Sequence, residues 1–304
     1  MQEKLNNDLR RIKEQIEIGN YDRAVRISNL LIYSKIPKVM SFGFLYKGRA
    51  LSLDKRYDEA ISVFHQLIDL WPESELAYLY RCETFIRIGE FEKALIDANT
   101  LMKFDQLNLD YLSIYIKVNQ ILGDFQTVIR YSSKILYYYP EQRSYLLTRA
   151  QAKGKVGLYE EALLDCKKVL QHIAEEQLLI NKYEISNLFN DMGYYYGKVG
   201  AYQLAKTYLE EALKYSTHRP DSLNYLGFIF AQMGKYELGL DLINKSLRLN
   251  SSNSYAYKNR AKLFLSKGQF NKAKDDLLKA KELEYHLLYD NEVDVLLNQL
   301  DAPF

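Results

Sequence analysis

Apolar residues recur at three- and four-residue intervals along this chain, the spacing that gathers them on one face of an α-helix. The stretch ELAYLYRCETFIRIGEFEKALIDANTLMKFD, residues 75–105, shows the pattern on both sides of Gly89. Glycine enters the left-handed conformation that ends a helix at little steric cost, so this pattern predicts two helices folded back on each other at Gly89. Prolines respect the same boundaries. Pro72 and Pro140 fall late in such segments and Pro37 and Pro220 fall between them, where a ring that cannot continue a helix does no harm.

The pattern repeats. Gly89, Gly123 and Gly157 are 34 residues apart, as are Gly200, Gly234 and Gly268. Two residues after each comes an aromatic, and Tyr21 and Tyr57 extend the series to eight: Tyr21, Tyr57, Phe91, Phe125, Tyr159, Tyr202, Tyr236 and Phe270. Three residues further on lies a small or β-branched side chain, Ala24, Ala60, Ala94, Val128, Ala162, Ala205, Gly239 or Ala273. The resulting frames run 5–38, 41–74, 75–108, 109–142, 143–176, 186–219, 220–253 and 254–287. The eighth residue of a frame is often small (Gly48, Cys82, Ala150, Gly193, Gly227, Ala261), which lets two helix backbones approach closely.

In its period, its Gly-x-aromatic turn, the alanine after it, the Gly227/Phe230 and Gly193/Tyr196 pairs, and Pro72 or Pro140 at the frame end, the chain resembles the tetratricopeptide repeat (TPR) family over residues 5–287. The resemblance implies an all-α, right-handed α-solenoid of about eight helix-turn-helix units with a C-terminal capping helix. Departures from the family pattern are Ile12 at a small position, Lys55 for the turn glycine, and Leu31, Leu67, Leu101, Ile135 and Val169 where alanine is usual. The bulkier residues are expected to alter helix spacing and superhelix pitch in the N-terminal half. Residues 177–185, QLLINKYEI, keep helical periodicity and read as a helical insertion of about two and a half turns. The expected organisation is five units over 1–176, the insertion 177–185, three units over 186–287, and a capping helix with tail over 288–304.

Composition narrows the chemistry. Forty-one basic against 39 acidic residues leave a net charge of +2, without the dominant basic footprint of a nucleic-acid binder. Residues 1–50 carry 10 basic and 5 acidic side chains and residues 51–100 the reverse, which favours attraction between neighbouring units. No apolar run reaches the length of a membrane span, the polar N-terminus lacks a signal sequence, and two cysteines make no disulfide framework, so a soluble cytoplasmic protein is expected. Four scattered histidines (His65, His172, His218, His286) give no metal-ligand grouping, and no phosphate loop or nucleophile elbow is present. Acid pairs such as Asp58-Glu59 and Glu160-Glu161 fall in first turns of helices, where the helix dipole accounts for them. Tyr137-Tyr138-Tyr139 and Tyr194-Tyr195-Tyr196 lie in helical segments that need at least one of each for the core. Neither an enzyme, a cofactor nor a metal is expected.

Function is then expected on the inner wall formed by first helices. In the last three frames the second, fifth, sixth and ninth residues are Asn187, Asn190, Asp191 and Tyr194; Asp221, Asn224, Tyr225 and Phe228; and Tyr255, Lys258, Asn259 and Lys262. Amides both donate and accept, so such a ladder can hold an extended peptide backbone, as the family resemblance also implies, while Tyr and Phe add apolar anchoring. The wall of the second to fourth frames is more apolar: Leu45, Tyr46, Arg49, Leu79, Tyr80, Glu83, Ser113 and Lys117. The expected function is a non-enzymatic scaffold that binds a peptide or protein on its concave face. No three consecutive frames carry the lysine, asparagine and arginine set of the dicarboxylate clamp, which argues against an Hsp70 or Hsp90 tail. A stoichiometric inhibitor, such as an immunity protein neutralising a toxin, is the alternative. A peptide-sensing regulator ranks lower, because the first frame opens at Leu5 and leaves no room before it for an effector module.

Overall fold

The computed structural model describes residues 2–176, 181–285 and 291–301. Among these are seventeen α-helices and no strand, and the chain divides into two compact units, 1–138 and 139–304. The first contains four hairpins: α1 (Gln2–Glu17) with α2 (Tyr21–Ile32), α3 (Pro37–Leu53) with α4 (Tyr57–Leu70), α5 (Glu75–Ile88) with α6 (Phe91–Phe104), and α7 (Leu109–Leu122) with α8 (Phe125–Tyr138). The second contains α9 (Arg143–Lys155) with α10 (Tyr159–Glu176), α11 (Lys182–Lys198) with α12 (Tyr202–Tyr215), α13 (Pro220–Gln232) with α14 (Tyr236–Leu249), α15 (Ser254–Ser266) with α16 (Phe270–Glu282), and a last helix, α17 (Glu292–Asp301).

Every second helix of a hairpin opens on the aromatic that marks the sequence frame. The turn before it is made by a left-handed residue. Gly89 has φ of +80°, and the following N–H, that of Glu90, reaches back to the Phe85 carbonyl at 2.9 Å. Where the frame carries Lys55 for glycine, the backbone adopts the same conformation, φ +65°, with the Arg56 N–H bonded to the Leu51 carbonyl at 2.9 Å. The turn thus imposes its geometry on a residue that resists it.

Small residues set how closely the helices of a hairpin approach. Ala24, Ala60, Ala94, Ala162, Ala205 and Ala273 are fully buried. A methyl group on Gly227 would stand 2.6 Å from the Gly239 carbonyl oxygen, so α13 and α14 meet backbone to backbone. Within each unit a hairpin also packs its second helix on the first helix of the next, and first helices touch in series, α1–α3–α5–α7 in one unit and α9–α11–α13–α15 in the other. Those two series form a wall in each unit.

Three hairpins carry an ion pair between their own helices, at frame positions sixteen residues apart. Arg81 grips Asp97 at 2.9 and 2.7 Å, Arg149 grips Asp165 at 2.9 and 2.6 Å, and Arg260 grips Asp276 at 2.7 Å twice. Two parallel N–H bonds to a buried carboxylate fix rotation as well as distance.

The frames 5–38 and 41–74 leave residues 39–40 as a two-residue spacer, and that expectation changes. Residues 39–40 are no spacer, because α3 starts at Pro37, where the missing N–H has no helical partner to lose, and runs through them. Within 177–185, residues 177–180 lie outside the described residues; α10 reaches Glu176, and α11 opens at Lys182 with the Asn181 side chain accepting from the Tyr183 N–H at 2.9 Å. In the tail, α17 places Val293 and Leu297 in an apolar cluster with Tyr255, Ala261, Leu277 and Tyr285, so it covers the last hairpin. His286 and residues 302–304 are outside the described residues.

Candidate functional site

On the wall of the second unit, three asparagines expected to face a ligand are buried instead. Asn190 is 5% exposed, Asn224 1% and Asn259 2%. Ser222 Oγ donates to Asn190 Oδ1 at 2.8 Å, and Asn259 Nδ2 donates to Asn224 Oδ1 at 3.1 Å, each bond running from one hairpin to the next. These amides staple neighbouring hairpins, and the expected ladder for a peptide backbone is corrected accordingly. Asn187, half-buried, accepts from Arg219 Nη1. Half-buried Asp191 takes bonds from Gln151 Nε2 at 3.4 Å and Asn190 Nδ2 at 3.5 Å, and desolvation pushes its carboxyl above the usual range.

The wall of the first unit is corrected in the same sense. Leu45 packs in a cluster with Leu67 and Ala77, and Tyr46 in one with Leu5, Ile12 and Ala50. Both are core residues, because α3 turns them toward its neighbours. Tyr80 and Arg49 engage each other: Arg49 Nη1 donates to the Tyr80 hydroxyl at 2.8 Å with the guanidinium 4.7 Å from the ring centre. Leu79 is half-buried and Glu83 exposed, as are Ser113 and Lys117.

The remaining residues of the second wall come together. Tyr194, Tyr225, Phe228, Tyr255, Lys258, Asn259 and Lys262 line one pocket of about 180 Å³, together with Gly193, Gly197, Lys198, Ile229 and Glu292. Tyrosine rings run through it in series. Tyr194 lies 4.9 Å from Tyr225, Tyr225 lies 5.5 Å edge-on to Tyr255, and Tyr255 stacks 6.0 Å from Tyr285. The row arises because each successive first helix brings an aromatic to the same wall, with Tyr285 continuing it just beyond α16.

Charge is set into these rings. Lys258 Nζ sits 4.1 Å from the centre of Tyr255, Lys262 Nζ 5.6 Å from Phe228, and Lys198 Nζ 5.4 Å from Tyr194. Glu292, the first residue of α17, bridges two of them, receiving Lys258 Nζ at 2.9 Å and Lys262 Nζ at 2.7 Å. Lys258 is 3% exposed; burial pushes it down to about 8, the charges of Lys262 and Lys198 push the same way, and Glu292 opposes them. For Glu292 burial pulls upward, but its bonds and attractions to the two lysines prevail and hold it down at about 2. Tyr255 is pushed well up by burial among other phenols and stays neutral.

Lys198 and Glu292 are the charged members of this pocket that sequence reasoning missed. Lys198 sits at the last position of α11, beyond the wall positions of its frame, and Glu292 follows the last frame altogether. An acidic residue in a capping segment, after a hairpin with two wall lysines, was the available signal. Elsewhere, His172 Nε2 contacts Glu141 at 2.6 Å, and Cys82 and Cys166 are buried free thiols pushed well up by burial. Among the described residues no cluster of His, Cys, Asp and Glu could hold a metal, and no helix is long and apolar enough to cross a membrane.

Residues 186–218, the α11–α12 hairpin, match the tetratricopeptide repeat family model. A DnaJ homolog subfamily C member 7 homolog from Schizosaccharomyces pombe (strain 972 / ATCC 24843) is 47% identical over 53 residues, which are 17% of this chain and 11% of that protein. A tetratricopeptide repeat protein from Parabacteroides merdae ATCC 43184 superposes with a TM-score of 0.69 at 15% identity, covering 86% of this chain and 99% of that one. The Cut9-Hcn1 hetero-tetramer of APC/C gives a TM-score of 0.56 at 17% identity, over 83% of this chain and 48% of that one. At these identities the structures speak for the fold, one whose general use is a non-enzymatic scaffold for protein–protein interaction. One hairpin of the chain is thus a tetratricopeptide repeat by its family model, and the eight hairpins of the 34-residue frame share the fold of solved tetratricopeptide repeat proteins, which supports placing the chain with that family without singling out a member.

Proposed function

We propose that this chain is an adaptor that holds a segment of a partner protein in the pocket walled by Tyr194, Tyr225, Phe228 and Lys262. One observation carries the reading: aromatic faces and ammonium groups converge from three successive hairpins on a single concavity of about 180 Å³. Pockets that anchor a ligand are mostly apolar with a few polar groups placed among them, and this one has that make-up. Tyrosine and phenylalanine lose little conformational freedom on contact, so they are effective anchors for a chain segment laid across them. The two buried free thiols fit a reducing compartment, and the cytoplasm is the setting this proposal assumes.

The test is site-specific photo-crosslinking. A photoreactive phenylalanine analogue placed at Phe228 is expected to give a discrete adduct with a partner in the cells of origin. The same analogue at Ile18, exposed in the turn just after α1, serves as the control. Equal adduct patterns at the two positions would refute the placement.

A further inference from the structure

Leu30 and Tyr33 stand in solvent on the outer face of α2, 73% and 84% exposed. The helix packs on α1 and α3 and buries Ala24, Ile27, Ser28 and Leu31, and that packing makes no use of them. Nor does the repeat require apolar residues there. At the frame position of Leu30 the other hairpins carry polar residues, beginning with Gln66, Thr100, Lys134 and Lys168. At that of Tyr33 they carry Asp69, Lys103 or Gln171, with one aromatic counterpart in Tyr137. Single exposed apolar side chains are common on protein surfaces, so the pair gains meaning from what surrounds it.

Cations surround it. Arg23, Arg26, Leu30 and Tyr33 follow one another at intervals of three and four residues, which sets them along one stripe of the helix. Arg23, Arg26 and Leu30 line the same shallow depression. Beyond Tyr33 come Lys35 and Lys38, both exposed. Asp22 is the single acidic residue between 18 and 38, and its carboxylate lies 3.4 Å from Arg56. Among the described residues, no carboxylate comes within ion-pair distance of Arg23, Arg26, Lys35 or Lys38.

An apolar pair with cations before and after it has the make-up of a segment that lies in the interface of an anionic bilayer. Leucine gains by leaving water for the acyl boundary, a tyrosine ring settles at headgroup level with its hydroxyl wet, and the cations meet lipid phosphates. Nucleic acid would engage the four cations but leave Leu30 in water. A folded partner would need a recess for Leu30 and carboxylates set opposite each cation, whereas a fluid bilayer supplies both without a matching shape. We propose that the outer face of α2 docks this chain reversibly on an anionic membrane surface, with Leu30 and Tyr33 entering the interfacial layer and Arg23, Arg26, Lys35 and Lys38 on lipid phosphates. The contact is peripheral. Two side chains bury too little apolar area to anchor a protein alone, so docking depends on anionic lipid and weakens with salt.

The experiment is vesicle flotation with the full-length chain, on vesicles of phosphatidylcholine alone and on vesicles of equal parts phosphatidylcholine and phosphatidylserine. Association is expected with the second kind only. Arg23→Gln combined with Arg26→Gln should weaken it roughly 25-fold, at about fivefold for each cation near an anionic surface. Leu30→Gln combined with Tyr33→Gln leaves the charge unchanged and should weaken it at least about tenfold. Glutamine already occupies these frame positions as Gln66 and Gln171, so the fold accepts it. An environment-sensitive fluorophore on Leu30→Cys should shift to the blue with anionic vesicles, while the same label on Leu164→Cys, exposed on α10, should not. Equal association with both kinds of vesicle, anionic association that ignores the Leu30 and Tyr33 changes, or a label at Leu30 that stays in water overturns the proposal. Retention on poly(U) RNA that needs Arg23 and Arg26, without flotation, overturns it in favour of a nucleic-acid surface.

Discussion

Lys258 gives the pocket a measurable effect on stability before any ligand is known. In the unfolded chain its ammonium has the ordinary value of 10.5, and in the folded protein it lies at about 8. Between those values the unfolded state holds a proton that the folded state has released, so stability rises with pH through this window. Below about 8 both states are protonated and the slope vanishes; above 10.5 both are neutral. The full window is worth about 3 kcal/mol, from roughly 1.4 kcal/mol for each pH unit of displacement. The range from pH 8 to 9.5 should therefore show about 2 kcal/mol of it.

The assay is urea unfolding followed by circular dichroism, for the wild type and for Lys258→Met, in steps over that range. The difference between the two curves is the informative quantity, because Cys82 and Cys166, whose buried thiols keep their protons longer when folded, pull stability down in the same range and cancel on subtraction. The groups that face Lys258 are Glu292 from α17, Lys262 from its own helix, Lys198 from α11, and the phenols of Tyr255 and Tyr285. Glu292 is the one that holds the charge on, so Glu292→Gln should shift the start of the rising limb below pH 8. On the acid side the same carboxylate, held down at about 2, supports the fold fully above 4.5 and loses that support as pH falls toward 2. A wild-type minus Lys258→Met difference that is flat or falling from pH 8 to 9.5 refutes the assignment of a buried, desolvated ammonium.

Three further outcomes follow from the packing. Asn224→Ala removes the acceptor of the Asn259 bond between buried side chains and should cost about 1–3 kcal/mol in urea unfolding, with no loss of affinity for a ligand of the pocket beyond that; weakened binding with unchanged stability would restore Asn224 as a ligand contact. Asp97→Ala leaves the Arg81 guanidinium, 12% exposed, without its bidentate partner and should cost about 3 kcal/mol, read as a fall in the thermal midpoint. Lys55→Gly should stabilise by about 1 kcal/mol by relieving a side chain held at φ +65°, while Gly89→Ala, at φ +80°, should do the opposite by a similar amount; equal signs for the two changes would contradict the turn argument.

The features legible in the sequence were those a local rule enforces. Turn glycines, the aromatics that open Tyr57–Leu70 or Phe91–Phe104, and the alanines three residues on announce themselves because each hairpin must solve the same steric problem in the same register. Even the exception was visible, since Lys55 stood out as the residue in the wrong place. What the sequence left undetermined was the rotation of a first helix about its own axis. An asparagine at the fifth frame position has the same spacing whether it faces a ligand or the next hairpin, and a few tens of degrees separate the two. Leu45 and Tyr46 turned inward for that reason, and Asn190, Asn224 and Asn259 became staples. The aromatics of the second wall reached one pocket because large rings at several adjacent positions leave at least some of them lining it at any rotation.

The last hairpin departs from the two before it at few wall positions. At the fifth position two hairpins use asparagine, which meets the next hairpin with a neutral bond, Asn190 to Ser222 and Asn224 to Asn259. Where the array ends, a neutral partner on α17 would have closed the series at less electrostatic cost, since Val293 and Leu297 already cover the apolar face. The chain instead carries Lys258, adds Lys262 one turn later on the pocket side, and answers both with one carboxylate. Capping alone asks for a satisfied partner and a dry face. An ammonium buried to the point of losing affinity for its own proton, beside a second and a third, goes beyond what capping requires.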